Sequence, residues 1–372
     1  MKKINLTKWE SFLIFTLTIL FTINNFFDNV QNANKVSICI IIFLMVIGIA
    51  YNISYLVNIK QLIYYFFLLI ILLTWKFNRF SVTMVSLGLV FMMISPEKII
   101  YMYRWIVSLQ ILLGIILSIS GIAPTRDDRT GVLSLGFVNE NVLGEALAVL
   151  AITLIFEIKG KTFIISRKYY KWIILVFIIL FNLIVINDNT AVVTIMLMLG
   201  LVSLKSIIIK SQPLKFIFGV SPLLISALAI WLGSNYNPMI PWMFKLNQID
   251  TQRLFIWHYY FNNFPILWMP SKWVFNQNLY WGAFDGVYTY LIFNQGILFT
   301  LFIIFGLVLC NFRLINAKKW DILLIVVTLE LASFSENIIT TYYINFALIF
   351  VISAYNPMWI KNKAILTGKE KN

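Results

Sequence analysis

Histidine, cysteine and charged residues are all scarce in this chain, and each shortage excludes a class of function. The 372 residues include one histidine and two cysteines, so neither a histidine-built metal centre nor a disulfide framework is expected. Only 12% of the residues are charged, about half the share that is usual in soluble domains. With 60% hydrophobic residues and a mean hydropathy of +0.87, the chain is predicted to be a polytopic membrane protein.

Apolar segments that are long enough to cross a bilayer recur along the whole chain. They predict an all-α transmembrane helical bundle of about twelve spans, which forms a single membrane domain over residues 1–372. No small-residue cleavage site follows the first apolar run, so an uncleaved first span is expected. The predicted spans are 11–27, 37–57, 62–76, 81–95, 99–122, 142–158, 172–187, 190–204, 216–233, 285–309, 320–335 and 339–356.

The distribution of basic residues predicts the orientation of the bundle. With the N-terminus inside, 20 of the 29 lysines and arginines fall in cytoplasmic segments and eight in outer segments. Arg104 is expected to snorkel near the inner end of its span. Both termini are therefore predicted to be cytoplasmic, and the net charge of +14 is attributed to topology rather than to nucleic-acid binding. The outer side then carries a polar loop over 123–141 and one long loop over 234–284.

The long outer loop is rich in aromatic residues, with five tryptophans and four prolines. Within it, the stretch DTQRLFIWHYYFNN (250–263) predicts a short amphipathic helix that begins after Asp250 or Thr251. Leu254, Trp257 and Phe261 would share one face. Such a helix is expected to lie flat on the outer leaflet.

The predicted outer loops carry Arg126, Arg129 and Arg253, against the positive-inside trend. An anionic ligand would explain them, because a guanidinium binds phosphate bidentately and stays charged. Outer carboxylates beside it could take a proton from a hydroxyl nucleophile. The acidic residues at or near the outer face are Asp127, Asp128, Glu140, Glu145, Asp188, Asp250, Asp285, Glu330 and Glu336.

Purely structural roles remain open for each of these residues. Residues 126–129 could form a solvated loop with local ion pairs, and Glu330 could belong to a buried structural pair. His258 could be an interfacial residue and Trp257 a membrane or core anchor. The candidates for helix caps are Asn139, Asn141, Asp188 and Asp285.

Four stretches, in this order along the chain, resemble the O-antigen polymerase and ligase family, the Wzy-like membrane glycosyltransferases. They are TRDDRTGVLSLGFVNENVLG (125–144), INDNTAVV (186–193), QRLFIW (252–257) and DGVYTYLIFNQG (285–296). Glu140 replaces the proline of the family's first element, and Asn189 stands where an arginine is usual. The matching residues are Gly136, Phe137, Asn139, Asn141, Gly144, Thr190, Arg253, Trp257, Asp285, Tyr288 and Gly296.

The resemblance covers roughly residues 120–340 and implies a metal-independent transferase with the membrane fold of C-type glycosyltransferases. Its substrates would be undecaprenyl-diphosphate-linked oligosaccharides at the outer face of the bacterial cytoplasmic membrane. It would polymerise these repeat units into capsule, exopolysaccharide or O-antigen without a cofactor. Its partners would be membrane lipids and the flippase and chain-length regulator of the same pathway, with no nucleic acid.

The resemblance also implies roles for particular residues. Arg126, Arg129 and Arg253 would hold the diphosphate and stabilise its charge as it leaves. Asp285 would activate the acceptor hydroxyl, with Glu336 or His258 as the alternative base. The catalytic set is thus Asp285, Arg253 and Glu336. The substrate-binding set is Arg126, Arg129, Asn139, Asn141, Trp257, His258 and Tyr288.

Three other functions remain open. A ligase of the same family would transfer the finished glycan to a different acceptor. A lipid-linked oligosaccharide flippase or another secondary transporter would have a similar number of spans, but it typically shows internal repeats and charges along a central path. A non-catalytic scaffold of an assembly complex is the third. The absence of a recognisable repeat and the polar residues on one face favour chemistry at a surface.

Overall fold

The computed structural model describes residues 7–26, 39, 41–44, 46–48, 50, 59–74, 79–91, 94–128, 130–159, 162–166, 168–270, 284–341, 344–356 and 359. These residues form a mostly helical bundle with one short β-hairpin. The elements are α1 (Lys8–Phe26), α2 (Ile59–Thr74), α3 (Arg79–Phe91), α4 (Pro96–Ile119), α5 (Glu140–Leu154), β1 (Phe156–Lys159), β2 (Thr162–Ile165), α6 (Tyr169–Phe181), a π-helical turn (Asn182–Ile186), α7 (Asn189–Lys210), α8 (Gln212–Asn235), α9 (Pro241–Ile249), α10 (Arg253–Asn263), α11 (Val287–Asn294), α12 (Gly296–Asn316), α13 (Trp320–Ala332) and α14 (Ala347–Ala354).

Five of the described helices are long and apolar enough to cross a membrane: α4, α6 with its π-helical turn, α7, α8 and α12. On α6 and its π-helical turn, large apolar side chains such as Ile173, Phe177 and Ile184 are exposed. Exposure of this kind is unfavourable in water and favourable in lipid. The structure therefore fits a helical membrane protein. The number of about twelve spans is not confirmed, because none of the other described helices is both long and apolar enough to count as a span.

Three predicted spans differ from the observed elements. The predicted span 142–158 ends as a helix at Leu154, and β1 and β2 then pair antiparallel. The predicted span 339–356 is helical only over α14. The predicted span 285–309 is broken between α11 and α12, where Gly296 has a φ of +82°.

The break before α12 has a local cause in the long outer loop. The carbonyl groups of Leu267 and Trp268 accept the backbone N–H groups of Ile297 and Leu298, at 2.9 and 3.2 Å. A side chain at Gly296 would lie 2.7 Å from the Met269 carbonyl group. The loop thus takes the place of the preceding turn of helix at the start of α12.

The core of the bundle contains α13 and α14, which are buried around almost their whole circumference. This pattern is expected for helices that are apolar on all sides and lie at the centre of a large bundle. With 13 residues, α13 spans only about 20 Å. It reaches the site because the irregular segment after it carries Glu336 and Asn337.

Ion pairs mark one end of the bundle. Lys205 near the end of α7 binds Asp321 at the start of α13, with 2.6 Å between Nζ and Oδ1. Lys319 binds Glu97 at the start of α4, with 2.8 Å between Nζ and Oε1. The sequence predicts this end to be cytoplasmic. The start of α7 and the end of α13 lie at the opposite end, roughly 25 Å away along α7, and that is where the outer charged residues meet.

Candidate functional site

A tightly wound turn at 247–253 presents Arg253 at the start of α10. Thr251 and Gln252 both have positive φ values, +48° and +68°, which non-glycine residues rarely adopt and which cost roughly 1–2 kcal/mol each. Asn247 secures the turn from both sides. Its carbonyl group accepts the N–H of Gln252 at 2.8 Å, and its side-chain oxygen accepts the N–H of Phe255 at 2.9 Å. Backbone strain that is held in place in this way is common at functional sites.

The guanidinium group of Arg253 is buried among three carboxylates from separate segments. It forms its closest ion pair with Glu336, and it lies 3.6 Å from Asp285 Oδ2 and 3.7 Å from Asp250 Oδ1. It also donates a hydrogen bond of 2.5 Å to Thr251 Oγ1. Only 7% of the residue is exposed. The structure therefore brings together the three predicted catalytic residues, Arg253, Asp285 and Glu336.

Asp285 is held by groups around it rather than by a helix cap. Asn337 Nδ2 donates to its Oδ1 at 3.0 Å, and Trp257 Nε1 donates to its backbone oxygen at 2.7 Å. The N-cap of α11 is the following residue, Gly286, whose φ of +94° and close contact with the Trp257 ring favour glycine. With 18% of its side chain exposed, Asp285 is more accessible than Asp250 or Glu336.

Two further buried carboxylates, Glu145 and Asp188, extend the group. Asp188 caps α7 by accepting the N–H of Ala191 at 3.0 Å, which confirms the cap that the sequence left open. Its other carboxylate oxygen lies directly over Gly144, where an added Cβ would overlap it. Glu145 interacts electrostatically with Asp188, Asp285 and Glu336. We call Glu145, Asp188, Asp250, Arg253, Asp285 and Glu336 the Arg253 cluster.

The Arg253 cluster contains five carboxyl groups and one arginine. This excess of acidic groups, together with burial, shifts the pKa values of its members. Burial raises the pKa of Glu336 to about 8, although Arg253 opposes the shift. Burial also raises the pKa of Asp188 to about 6 and the pKa of Asp250 above its usual value. Burial by itself lowers the pKa of Arg253, but the surrounding carboxylates more than offset this and hold its pKa above the usual value. The cluster can therefore take up protons near neutral pH while Arg253 stays charged.

These pKa shifts predict a pH-dependent stability. Because the pKa of Glu336 is raised from 4.5 to about 8, its protonation stabilises the fold fully below about 4.5, and this contribution is lost as pH rises through about 8. The thermal midpoint in detergent is expected to fall over that range, and Glu336→Gln should flatten the fall. The exposed Asp128→Asn variant should behave like the wild type. An equally steep fall in Glu336→Gln would rule out this residue as the titrating group.

Arg126, in the 123–141 loop, does not share the buried environment of Arg253. Arg126 is exposed, and its guanidinium donates to the Gly131 carbonyl group at 2.8 Å within the same loop. Residues 126 and 133 form an antiparallel bridge that closes this loop on itself. Arg129 lies outside the described residues. Asn139 caps α5 by accepting the N–H of Val142, and Asn141 is exposed at the start of the same helix.

The other predicted substrate-binding residues are structural in their contacts. Trp257 is fully buried, and it braces Asp285 through its indole N–H. Both ring nitrogens of His258 are engaged, Nδ1 with the Gly233 carbonyl group at 3.0 Å and Nε2 with Asn262 at 2.9 Å. Tyr288 is buried, and its hydroxyl group donates to the Glu330 carbonyl group at 3.3 Å. These contacts favour positioning roles for all three.

The prediction of a helix over 250–263 is confirmed, but its cap and its location were wrong. The helix begins at Arg253 after Gln252, with no side-chain cap. Leu254 and Trp257 are fully buried, in a cluster that includes residues of α8. The apolar face therefore packs against protein and not flat on the outer leaflet. A hydrophobic stripe has the same spacing in both cases, so periodicity could not distinguish them.

Several residues of the site were not predicted as site residues: Gly144, Glu145, Asp188, Thr190, Asp250 and Asn337. Thr190 interacts with Glu336 through a side-chain hydrogen bond, and Asn337 binds Asp285. For the acidic residues Glu145, Asp188 and Asp250, the predicted outer location could have indicated a place in the site. Within the part of the chain that the structure describes, no group of three or more His, Cys, Asp or Glu side chains is arranged to hold a metal ion.

Comparison with known proteins leaves the chain without an assigned relative. No protein-family profile, no curated protein and no solved structure matches it.

Proposed function

We propose that this protein is a membrane glycosyltransferase that polymerises undecaprenyl-diphosphate-linked oligosaccharide repeat units at the outer face of a bacterial cytoplasmic membrane. One observation carries the proposal. A buried arginine meets Asp285 and Glu336 at the end of the bundle opposite the lysine-rich ion pairs. Arg253 and Asp285 come from two of the stretches that resemble the polymerase family. Such ionisable groups in a membrane protein are functional candidates by default.

The proposed reaction gives Asp285 and Glu336 different roles, because their surroundings differ. Asp285, the more accessible carboxylate, takes the proton of the acceptor hydroxyl while that oxygen attacks the anomeric carbon of the donor. The bond from that carbon to the diphosphate oxygen breaks, and the diphosphate keeps the electron pair. Arg253 stabilises this negative charge. Protonation of Glu336, whose pKa is raised by burial to about 8, frees the guanidinium for the diphosphate.

A transporter is the second candidate, and the charge balance of the Arg253 cluster favours it. Five buried or half-buried carboxylates around one arginine could bind and release protons during transport. A ligase would use the same chemistry as a polymerase with another acceptor. The polymerase is preferred because the cluster is built from loops and helix starts at one end of the bundle. A central path with charges along its length would favour a transporter.

The experiment that tests the proposal uses purified protein without added metal or nucleotide sugar. In detergent, a lipid-diphosphate-linked repeat unit should be converted into a product ladder on a gel. The same substrate is then placed in the inner leaflet of liposomes that contain the protein. A single unchanged band together with movement of the substrate to the other leaflet would replace the polymerase with a transporter. Transfer of preformed glycan to an unrelated acceptor, with no ladder, would identify a ligase.

A further inference from the structure

A second buried acid, Glu330, lies outside the Arg253 cluster, in the interior of the bundle. It is fully buried on α13, six residues before Glu336. Its carboxyl group meets two polar side chains from other helices. Ser221 Oγ on α8 lies 2.6 Å from Oε2, and Asn311 Nδ2 on α12 lies 2.8 Å from Oε1. No ion pair is formed by Glu330 among the described residues, in contrast to Glu336.

These three side chains meet beside Pro222, which lies inside α8. Pro222 has no backbone N–H, so it cannot bond the carbonyl group of Phe218 four residues earlier. Two side chains serve that carbonyl group instead. Asn311 Nδ2 and Ser221 Oγ both lie 3.0 Å from it. Since a carbonyl oxygen can only accept, the amide nitrogen of Asn311 must face it.

Counting hydrogens shows that the Glu330 carboxyl group and the Phe218 carbonyl group can both find partners with Glu330 either ionised or neutral. Ser221 has one hydroxyl hydrogen, and it lies within reach of both Glu330 and the Phe218 carbonyl group. If Glu330 is ionised, Ser221 donates to it, and only Asn311 serves the carbonyl group. If Glu330 is neutral, it donates to Ser221, whose hydrogen turns to Phe218. The neutral acid thus gives the Phe218 carbonyl group of α8 a second donor.

The network connects to the candidate site along two routes. Tyr288 of α11 donates to the carbonyl group of Glu330, and its neighbour Val287 donates to the carbonyl groups of Ser333 and Glu336. At the outer end of α8, the Gly233 carbonyl group binds His258 of α10. The helices α8 and α13 therefore contact the helix that carries Arg253 and the segment that carries Asp285.

We propose that Glu330 is a positioning residue that works as a neutral acid, and that its deprotonation releases Ser221 from the Phe218 carbonyl group and weakens α8 beside Pro222. The effect on catalysis rests on the proposed function, but the protonation state of Glu330 does not. The titratable groups that interact electrostatically with Glu330 among the described residues are Tyr288 on α11 and Cys310 on α12. The side chains that face this region from the other two helices are uncharged. They are Ser221 on α8 and Met198 on α7, which contacts Thr328.

The test compares Glu330→Gln with Ser221→Ala and with Glu97→Gln, a matched substitution of a buried glutamate at the opposite end of the bundle. Glutamine reproduces the donor and acceptor of the neutral acid, whereas Ser221→Ala removes the hydroxyl group. Infrared spectra of the purified protein should show a protonated carboxyl band that declines with rising pH. Glu330→Gln should lose one component of this band and Glu97→Gln should keep it, while the component of Glu336 should be lost only in Glu336→Gln.

The thermal midpoint and the activity give independent readouts. At a pH where Glu330 is protonated, Glu330→Gln should keep the wild-type midpoint, and Ser221→Ala should lower it at every pH. If the wild type makes polymer and its rate falls at alkaline pH, Glu330→Gln should lessen this fall, which a purely structural residue would not change; the part that is due to Glu336 should remain. An unchanged carboxyl band in Glu330→Gln would overturn the proposal. So would a Glu330→Gln variant that is as unstable as Ser221→Ala. Absence of polymer from the wild type would refute the proposed function only.

Discussion

Arg253→Ala is expected to abolish polymer formation and to lower the free energy of unfolding by about 3–5 kcal/mol. The guanidinium group is the cation that Asp250, Asp285 and Glu336 share, and all of them are largely buried. Without it, these carboxylates repel each other and lose hydrogen bonds. The site would therefore lose both its proposed diphosphate contact and its geometry. Thermal midpoints in detergent and the product ladder measure the two effects.

Two variants separate the structural effect of Arg253 from the catalytic one. Arg126→Ala removes an exposed arginine whose guanidinium group donates to the Gly131 carbonyl group of the same loop. The stability of the fold should therefore be unchanged. The double variant Arg253→Met with Glu336→Gln replaces a buried pair by neutral groups and should regain much of the stability but no activity. Polymer from the stable double variant would show that Arg253 has no part in the chemistry.

Gly144→Ala is expected to reduce the transfer rate about a hundredfold, because the added methyl group displaces Asp188 from the cluster. The new Cβ would overlap Asp188 Oδ2 and would lie 2.8 Å from its Cγ. Asp188 cannot move away without giving up its cap on α7. Crowding of this kind costs about 1–3 kcal/mol, and loss of the cap costs about 1 kcal/mol more.

Gly200→Ala is the matched control for Gly144→Ala. Gly200 lies on the exposed side of α7, and a Cβ added there would meet no neighbouring group within 4 Å among the described residues. The substitution should therefore raise helix stability by roughly 0.5–1 kcal/mol and leave the rate unchanged. Wild-type rates from both variants would show that close contact between Gly144 and Asp188 is not needed.

Much of the site could be predicted from charge alone. Sorting basic residues by segment placed Arg253, Asp285 and Glu336 on one side, and the structure puts them in direct contact. Charge could not rank the arginines, however. Arg126 and Arg253 are both predicted to lie in outer loops. They differ in the structure because the loop of Arg126 closes on itself, whereas the segment of Arg253 packs against α8 and α13.

Other features depend on tertiary contacts that no local pattern encodes. Asp188 reads as a helix cap in sequence and is one, but it also belongs to the cluster because Gly144 leaves room for it. The break between α11 and α12 depends on carbonyl groups from the long loop, almost thirty residues away along the chain at Leu267. Glu330 reads as a membrane-depth acid, but its partners on α8 and α12 could not be named from sequence.

The most direct test of the central claim is a single round of transfer by Asp285→Asn. Asparagine keeps the size of the side chain and can still bind Asn337, but it cannot take a proton from the acceptor hydroxyl. Purified wild type, Asp285→Asn and the exposed control Asp128→Asn would be compared for binding of the lipid-linked repeat unit and for formation of its first dimer. The account predicts that Asp285→Asn binds the substrate with wild-type affinity and forms no dimer, while Asp128→Asn forms it at the normal rate. Dimer formation by Asp285→Asn at the wild-type rate would contradict the assignment of this cluster as the catalytic site.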